Sequence, residues 1–129
     1  MIAIDSSALM AVVLDEPQAL AIIDVLAEID LAMISAVTLT ECRIVALRRD
    51  VLRQLDNLLT RIARLQTIAA DDRCSDRVVA IYRRWGKGRH PAALNFGDCF
   101  AYDVASQNRC SLLYVGNDFA QTDIVSALA

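Results

Sequence analysis

Four carboxylates stand where acidic side chains could work together: Asp5, Glu41, Asp98 and Asp118. Asp5 directly follows a short β-prone run, and Glu41 lies in the first turns of a helical segment. Asp98 opens another helix, and Asp118 follows the last β-prone run within Gly116-Asn117-Asp118-Phe119. Acids held within a few ångströms of one another cannot all ionise at neutral pH unless a cation offsets their repulsion. An oxygen-only set, without histidine or thiolate, suits Mg²⁺ or Mn²⁺. Such ions orient a water for in-line attack on phosphorus and stabilise the leaving oxygen, so the chemistry indicated is phosphodiester hydrolysis without a protein nucleophile.

Taken singly, each acid has an ordinary reading. Asp5 can cap the next helix, as Ser6 or Ser7 could. Thr38-x-x-Glu41 matches a capping box, Asp98 fits a helix-start acid, and Asn117-Asp118 fits turn chemistry. The joint reading is favoured by Glu41, which shares a helical stripe with Val37, Ile44 and Val45 and is expected to point toward a buried face, where a lone carboxylate is costly. Asp103 lies five residues past Asp98, about 140° around the helix, and reads as a peripheral or surface acid. Asp123 is a supporting candidate, able to reach the site through water.

The densest positive stretch is Arg83, Arg84, Lys87, Arg89 and His90, with Trp85 among them. These residues could hold RNA phosphates while Trp85 or His90 stacks on a base. Equally, the arginines could complement a helix C-terminus and Trp85 could be core. His90 is the single histidine. No Gly-x-Ser-x-Gly elbow accompanies it, which argues against acyl transfer.

The elements that must position these groups are β-prone runs at Ile2–Ile4, Leu31–Ile34, Thr67–Ala69 and Leu112–Val115, separated by segments with helical spacing. That alternation predicts βα units around a parallel sheet. Helices are expected from Pro17 to about Ile29 (stripe Ile22, Val25, Leu26, Ile29), after Ser35, over Val51 to Leu65, from Asp71-Asp72 to Trp85, and from Asp98 to about Gln107. Gly86 is expected to take a left-handed cap. Ligands of such open sheets bind beyond the carboxyl ends of the strands, where Asp5, Glu41 and Asp118 converge if the sheet is parallel.

With 129 residues, 56% of them hydrophobic, the chain suits one domain over residues 1–129. A mean hydropathy of +0.38 predicts a partner or second copy over part of the surface. No apolar run approaches the roughly 20 residues of a membrane span. Without a secretory start, the expected location is the cytoplasm. Cys42, Cys74, Cys99 and Cys110 form no Cys-x-x-Cys pair and read as reduced core thiols. The net charge of −3 means that any nucleic acid must meet a local basic patch.

The stretch Gly86-Lys87-Gly88-Arg89-His90-Pro91-Ala92-Ala93-Leu94-Asn95-Phe96-Gly97-Asp98-Cys99-Phe100-Ala101-Tyr102 closely resembles VapC-type PIN-domain toxins. Ile4-Asp5-Ser6-Ser7-Ala8-Leu9, Thr38-Leu39-Thr40-Glu41, Gly116-Asn117-Asp118-Phe119 and Thr122-Asp123-Ile124 match in order, so the resemblance spans the chain. It implies a PIN-like three-layer α/β/α sandwich with a central parallel sheet of four to five strands, and Asp5, Glu41, Asp98 and Asp118 as ligands of Mg²⁺ or Mn²⁺. Ser6 stands where a threonine is common and could orient a metal-bound water, with Asn117 in support. The implied activity is endonucleolytic cleavage of RNA such as transfer RNA, restrained by a VapB-like antitoxin, in a homodimer. Two departures are Val115, where a lysine is common, and Asp103, where a small apolar residue is common. The competing classes are a catalytically silent PIN-like binding protein and a receiver-type signalling domain, for which the single lysine, Lys87, is misplaced.

Overall fold

The computed structural model describes residues 1–128. The chain runs β1 (Ile2–Ile4), α1 (Ser6–Val13), α2 (Ala19–Glu28), β2 (Ala32–Ser35), α3 (Ala36–Arg48), α4 (Leu52–Arg61), β3 (Leu65–Ile68), α5 (Asp72–Trp85), α6 (Phe96–Gln107) and β4 (Ser111–Leu113), then a 3-10 turn at Phe119–Gln121. The four strands form one parallel sheet in the order β3-β2-β1-β4. Among the described residues there is no fifth strand in it. The order reverses at β1, which lies between β2 and β4, and this is where an open α/β sheet offers a crevice.

Side-chain alternation along the strands separates two cores. Ile2, Ile4, Ala32, Ile34 and Leu113 pack with α1 to α4, while Ala3, Met33 and Leu112 pack with α5 and α6. Helices cover both faces, so β1 and β2 are buried at every position and read as continuous apolar runs. The three layers agree with the α/β/α expectation.

Local differences from the sequence reading have identifiable causes. The apolar run beginning at Ala8 forms α1, started by Asp5, whose Oδ2 accepts the Ser7 amide at 3.1 Å. Pro17 lies in the turn before α2 rather than inside it. The helix expected to reach Leu65 stops at Arg61, and Leu65 pairs with Ala32 in the sheet instead. Gly86 is not left-handed: its φ is −71°. Glycine serves there because the Tyr82 ring lies so close that a β-carbon would sit 2.8 Å from it.

Candidate metal centre at the carboxyl edge of the sheet

Asp5 leaves β1 at the point where its amide donates to the Leu113 carbonyl of β4 at 3.0 Å. Its side chain is only 4% exposed. Ser7 Oγ donates to Asp5 Oδ2 at 2.6 Å and accepts the Val115 amide at 3.0 Å, so one hydroxyl ties the first acid to the strand end that leads to Asp118. From the sequence alone Ser7 reads as a possible cap, or as a serine for an acyl-transfer triad that the chain otherwise lacks. The pattern Asp-x-Ser at a strand end was the available signal.

Glu41 is half-buried on α3, but the buried stripe of that helix is Thr38, Leu39, Cys42 and Ala46. Ile44 is 51% exposed, so of the expected stripe Val37 and Val45 pack half-buried against the two cores while Ile44 lies open, and all three border a cleft. The Thr38–Glu41 capping box does not form, because Ser35 caps α3 through the Val37 amide at 3.1 Å. Glu41 is therefore released from local duty. Ser6 Oγ donates to Glu41 Oε1 at 3.3 Å, and the carboxylate rests against the backbone of Gly97 on α6, where a β-carbon would sit 2.7 Å from Oε1.

Asp98 does both things the sequence allowed. It completes a capping box at the start of α6, with Asn95 N–H donating to Asp98 Oδ2 at 3.0 Å and Asp98 N–H to Asn95 Oδ1 at 2.9 Å. It also lies close enough to Asp5, Asp118 and Glu41 to feel their charges. Partial burial, then these three neighbours, push its carboxyl up to about 6. Burial also raises Asp5, opposed by Ser7 and reinforced by Asp118, and burial followed by the Asp5 charge raises Glu41. Asp118 is exposed, just ahead of the 3-10 turn, and makes no capping bond there. Asn117 is exposed, and its carbonyl accepts Gln121 Nε2 at 3.3 Å.

Among the described residues these acids have no cationic partner. The two ion pairs among the described residues go to Asp103 and Asp123 instead. Cys42 and Cys99, the nearby thiols, are pushed up to about 12 and about 11 by burial first, so both stay protonated. What remains is a cluster of hard oxygen donors whose mutual repulsion calls for a divalent cation, and the chemistry of that set fits Mg²⁺ or Mn²⁺. The acids are within electrostatic reach rather than in one coordination shell: among the described residues no three His, Cys, Asp or Glu side chains are gathered tightly enough to hold an ion as they stand.

The other candidates lie elsewhere. Asp103 is not a surface acid: it is 3% exposed and paired with Arg77 of α5, Nε to Oδ1 at 2.7 Å and a terminal guanidinium nitrogen to Oδ2 at 3.0 Å. Its charge is spent joining α5 to α6. Asp123 is occupied as well, accepting from Tyr102 Oη at 2.6 Å with Arg84 at 3.7 Å. Trp85 is core, donating Nε1–H to Tyr102 at 3.1 Å, and Arg84 lies 4.4 Å over its ring. His90 stacks edge-on against Trp85 at 4.7 Å and accepts the Ala92 amide on Nδ1, shaping the loop. Lys87 and Arg89 remain exposed. The cysteines are free, three of them buried.

Residues 2–125 match the PIN domain family model. The chain belongs to the PIN-domain family. VapC28, a ribonuclease of Mycobacterium tuberculosis, is 40% identical, covering 97% of this chain and 96% of its own length. A VapC ribonuclease of Mycolicibacterium smegmatis is 38% identical over 95% and 97%. Within the PIN family this chain therefore stands with the VapC ribonucleases, and the receiver-domain reading is overturned. In solved structures the PIN fold recurs in Mycobacterium tuberculosis VapC20, a sarcin–ricin-loop-cleaving toxin, with a TM-score of 0.80, 15% identity and complete coverage of both chains. It recurs in a toxin–antitoxin complex from Klebsiella pneumoniae with a TM-score of 0.75 and 18% identity, over 100% of this chain and 98% of that one.

Proposed function

We propose that this PIN protein is the toxin of a VapBC-type pair, a metal-dependent endoribonuclease whose catalytic groups are Asp5, Glu41, Asp98 and Asp118. The observation that carries the proposal is the gathering of Asp5, Glu41 and Asp98 at the strand-order reversal with raised proton affinities and, among the described residues, no basic partner. Its VapC relatives are named ribonucleases, and a structural neighbour is a toxin–antitoxin complex.

In this reading the four carboxylates hold Mg²⁺ or Mn²⁺. Bound there, the ion supplies Lewis acidity toward a phosphoryl oxygen and makes water nucleophilic near neutral pH. Ser7 fixes Asp5 through the short hydroxyl contact and the Val115 amide. Ser6 steadies Glu41 and is placed to orient water. Asn95 and the capping box fix where Asp98 leaves α6. Exposed Lys87 and Arg89 offer cations to phosphates. Residues 1–129 act as one domain in the cytoplasm. A VapB-like antitoxin or a second copy covers exposed apolar residues such as Leu20, Leu47 and Val79.

Purified, partner-free protein incubated with total cellular RNA and Mg²⁺ or Mn²⁺ is expected to yield discrete fragments, transfer RNA included. Chelator and Asp98→Asn should each abolish them. Identical behaviour of wild type and Asp98→Asn in cells, with no fragments in vitro, would establish a silent binding protein instead.

A further inference from the structure

A concavity of about 630 Å³ adjoins the acidic centre, with which it shares Ser6 and Glu41. Its walls are apolar, contributed by Val37, Ile44, Val45 and Phe96, and Arg48 stands at its rim. Phe96, the first residue of α6, is 68% exposed although it is two positions from Asp98. Its ring is braced by Phe100 at 5.0 Å, so the aromatic face is held in place without being covered. Hydrogen-bonding capacity is scarce: Ser6 donates to Glu41 and Thr40 to the Ala36 carbonyl. Arg48 belongs to neither ion pair among the described residues.

These features fit one kind of occupant. The volume, about 630 Å³, is that of a site for one small ligand or a single nucleobase. An exposed aromatic beside a free cation is how single-stranded nucleic acid is held, with the base stacked and the phosphate paired. Sharing Glu41 with the metal centre places such a base next to the bond being cut. We propose that this cleft is the subsite for an unpaired nucleobase immediately beside the scissile phosphate, with Phe96 as its stacking platform and Arg48 as the contact to the adjoining phosphate. The inference rests on the ribonuclease reading. Because few polar groups line the cleft, the subsite selects for an unpaired base more than for one base identity.

The test uses the full chain carrying Asp98→Asn, and a single-stranded RNA decamer with a central 2-aminopurine, whose fluorescence falls on stacking. Phe96→Ala should weaken binding between about 5- and 150-fold, the range for one base stacked on an aromatic ring, and Phe96→Trp should restore it. Arg48→Ala should flatten the salt dependence of binding. Equal affinity of Phe96→Ala, or no fluorescence change with any variant, overturns the subsite. So does a Phe96→Ala effect confined to self-association or antitoxin binding. Cleavage of total RNA by the chain with native Asp98 separates the two readings. Cleavage without dependence on Phe96 removes the subsite and leaves the nuclease. Phe96-dependent binding without metal-dependent cleavage leaves Phe96 as a base-stacking residue but overturns both the nuclease and the subsite's place beside a scissile phosphate.

Discussion

The Glu41 carboxylate lies against the backbone of Gly97, so close that a β-carbon on residue 97 would stand 2.7 Å from Oε1 and 2.8 Å from Cδ. Glycine has no intrinsic advantage in a helix, where alanine is favoured by up to about 1 kcal/mol in the interior. Gly97 instead lets α3 and α6 bring Glu41 and Asp98 to one place.

Gly97→Ala is therefore expected to leave folding intact, since the clash is with the movable end of a side chain. Divalent-ion affinity should fall about 10- to 100-fold, as when a ligand's support is removed. Calorimetric Mn²⁺ titration beside a thermal melt checks both; unchanged Mn²⁺ affinity would contradict the placement of Glu41.

Removing one carboxylate should separate stability from ion binding. Asp98→Asn relieves repulsion among the acids, so without metal the variant should melt no lower than the wild type. A hundredfold excess of Mg²⁺ or Mn²⁺ over its Kd should stabilise the wild type by about 2.7 kcal/mol, a rise of several degrees in Tm. Asp98→Asn should lose that rise, and chelator should reverse it in the wild type.

The pH dependence has a definite sign. Asp98 is raised from 3.8 to about 6, and Asp5 and Glu41 are raised too, so the folded metal-free chain binds more protons than the unfolded one across that window. The stability this confers is fully present below about pH 4 and is lost as pH rises through about 6. Ion binding needs the deprotonated acids, so the Tm increment from Mn²⁺ should grow between about pH 5 and pH 7 and then level off. An increment largest at pH 5 would refute the assignment.

Arg77→Ala should destabilise by about 2 kcal/mol, because it leaves the Asp103 carboxylate buried without its partner; the exposed side of Arg77 keeps the cost from being larger. Cleavage below the melting transition should persist. Urea denaturation with a parallel RNA assay tests this, and lost activity in a fully folded variant would show that Asp103 serves the site as well as the core.

Ser7→Ala removes a 2.6 Å bond to Asp5 and the acceptor of the Val115 amide. A loss of about 1–2 kcal/mol is expected, with cleavage reduced; Ser7→Thr should recover part of both. Unaltered stability and cleavage in Ser7→Ala would show that Asp5 does not depend on this contact.

The sequence by itself determined the parallel α/β frame and marked the four acids as candidates, because short β-prone runs, helical period and turn residues are local signals read within a few positions. It left cap and site as rival readings for Asp98 and Asp5; in the structure Asp5 caps α1 and Asp98 completes the capping box of α6, while each still feels the charges of the other acids. Only the tertiary structure decided what depends on which helix faces which. Asp103 is neutralised by Arg77 because α5 packs on α6, and Asp123 is taken by Tyr102 and Arg84. Trp85 is buried, Glu41 borders a cleft, and Phe96 stays uncovered. Partners 26 and 21 residues apart meet only through packing between neighbouring elements, and periodicity along one helix carries no information about the helix that will cover it.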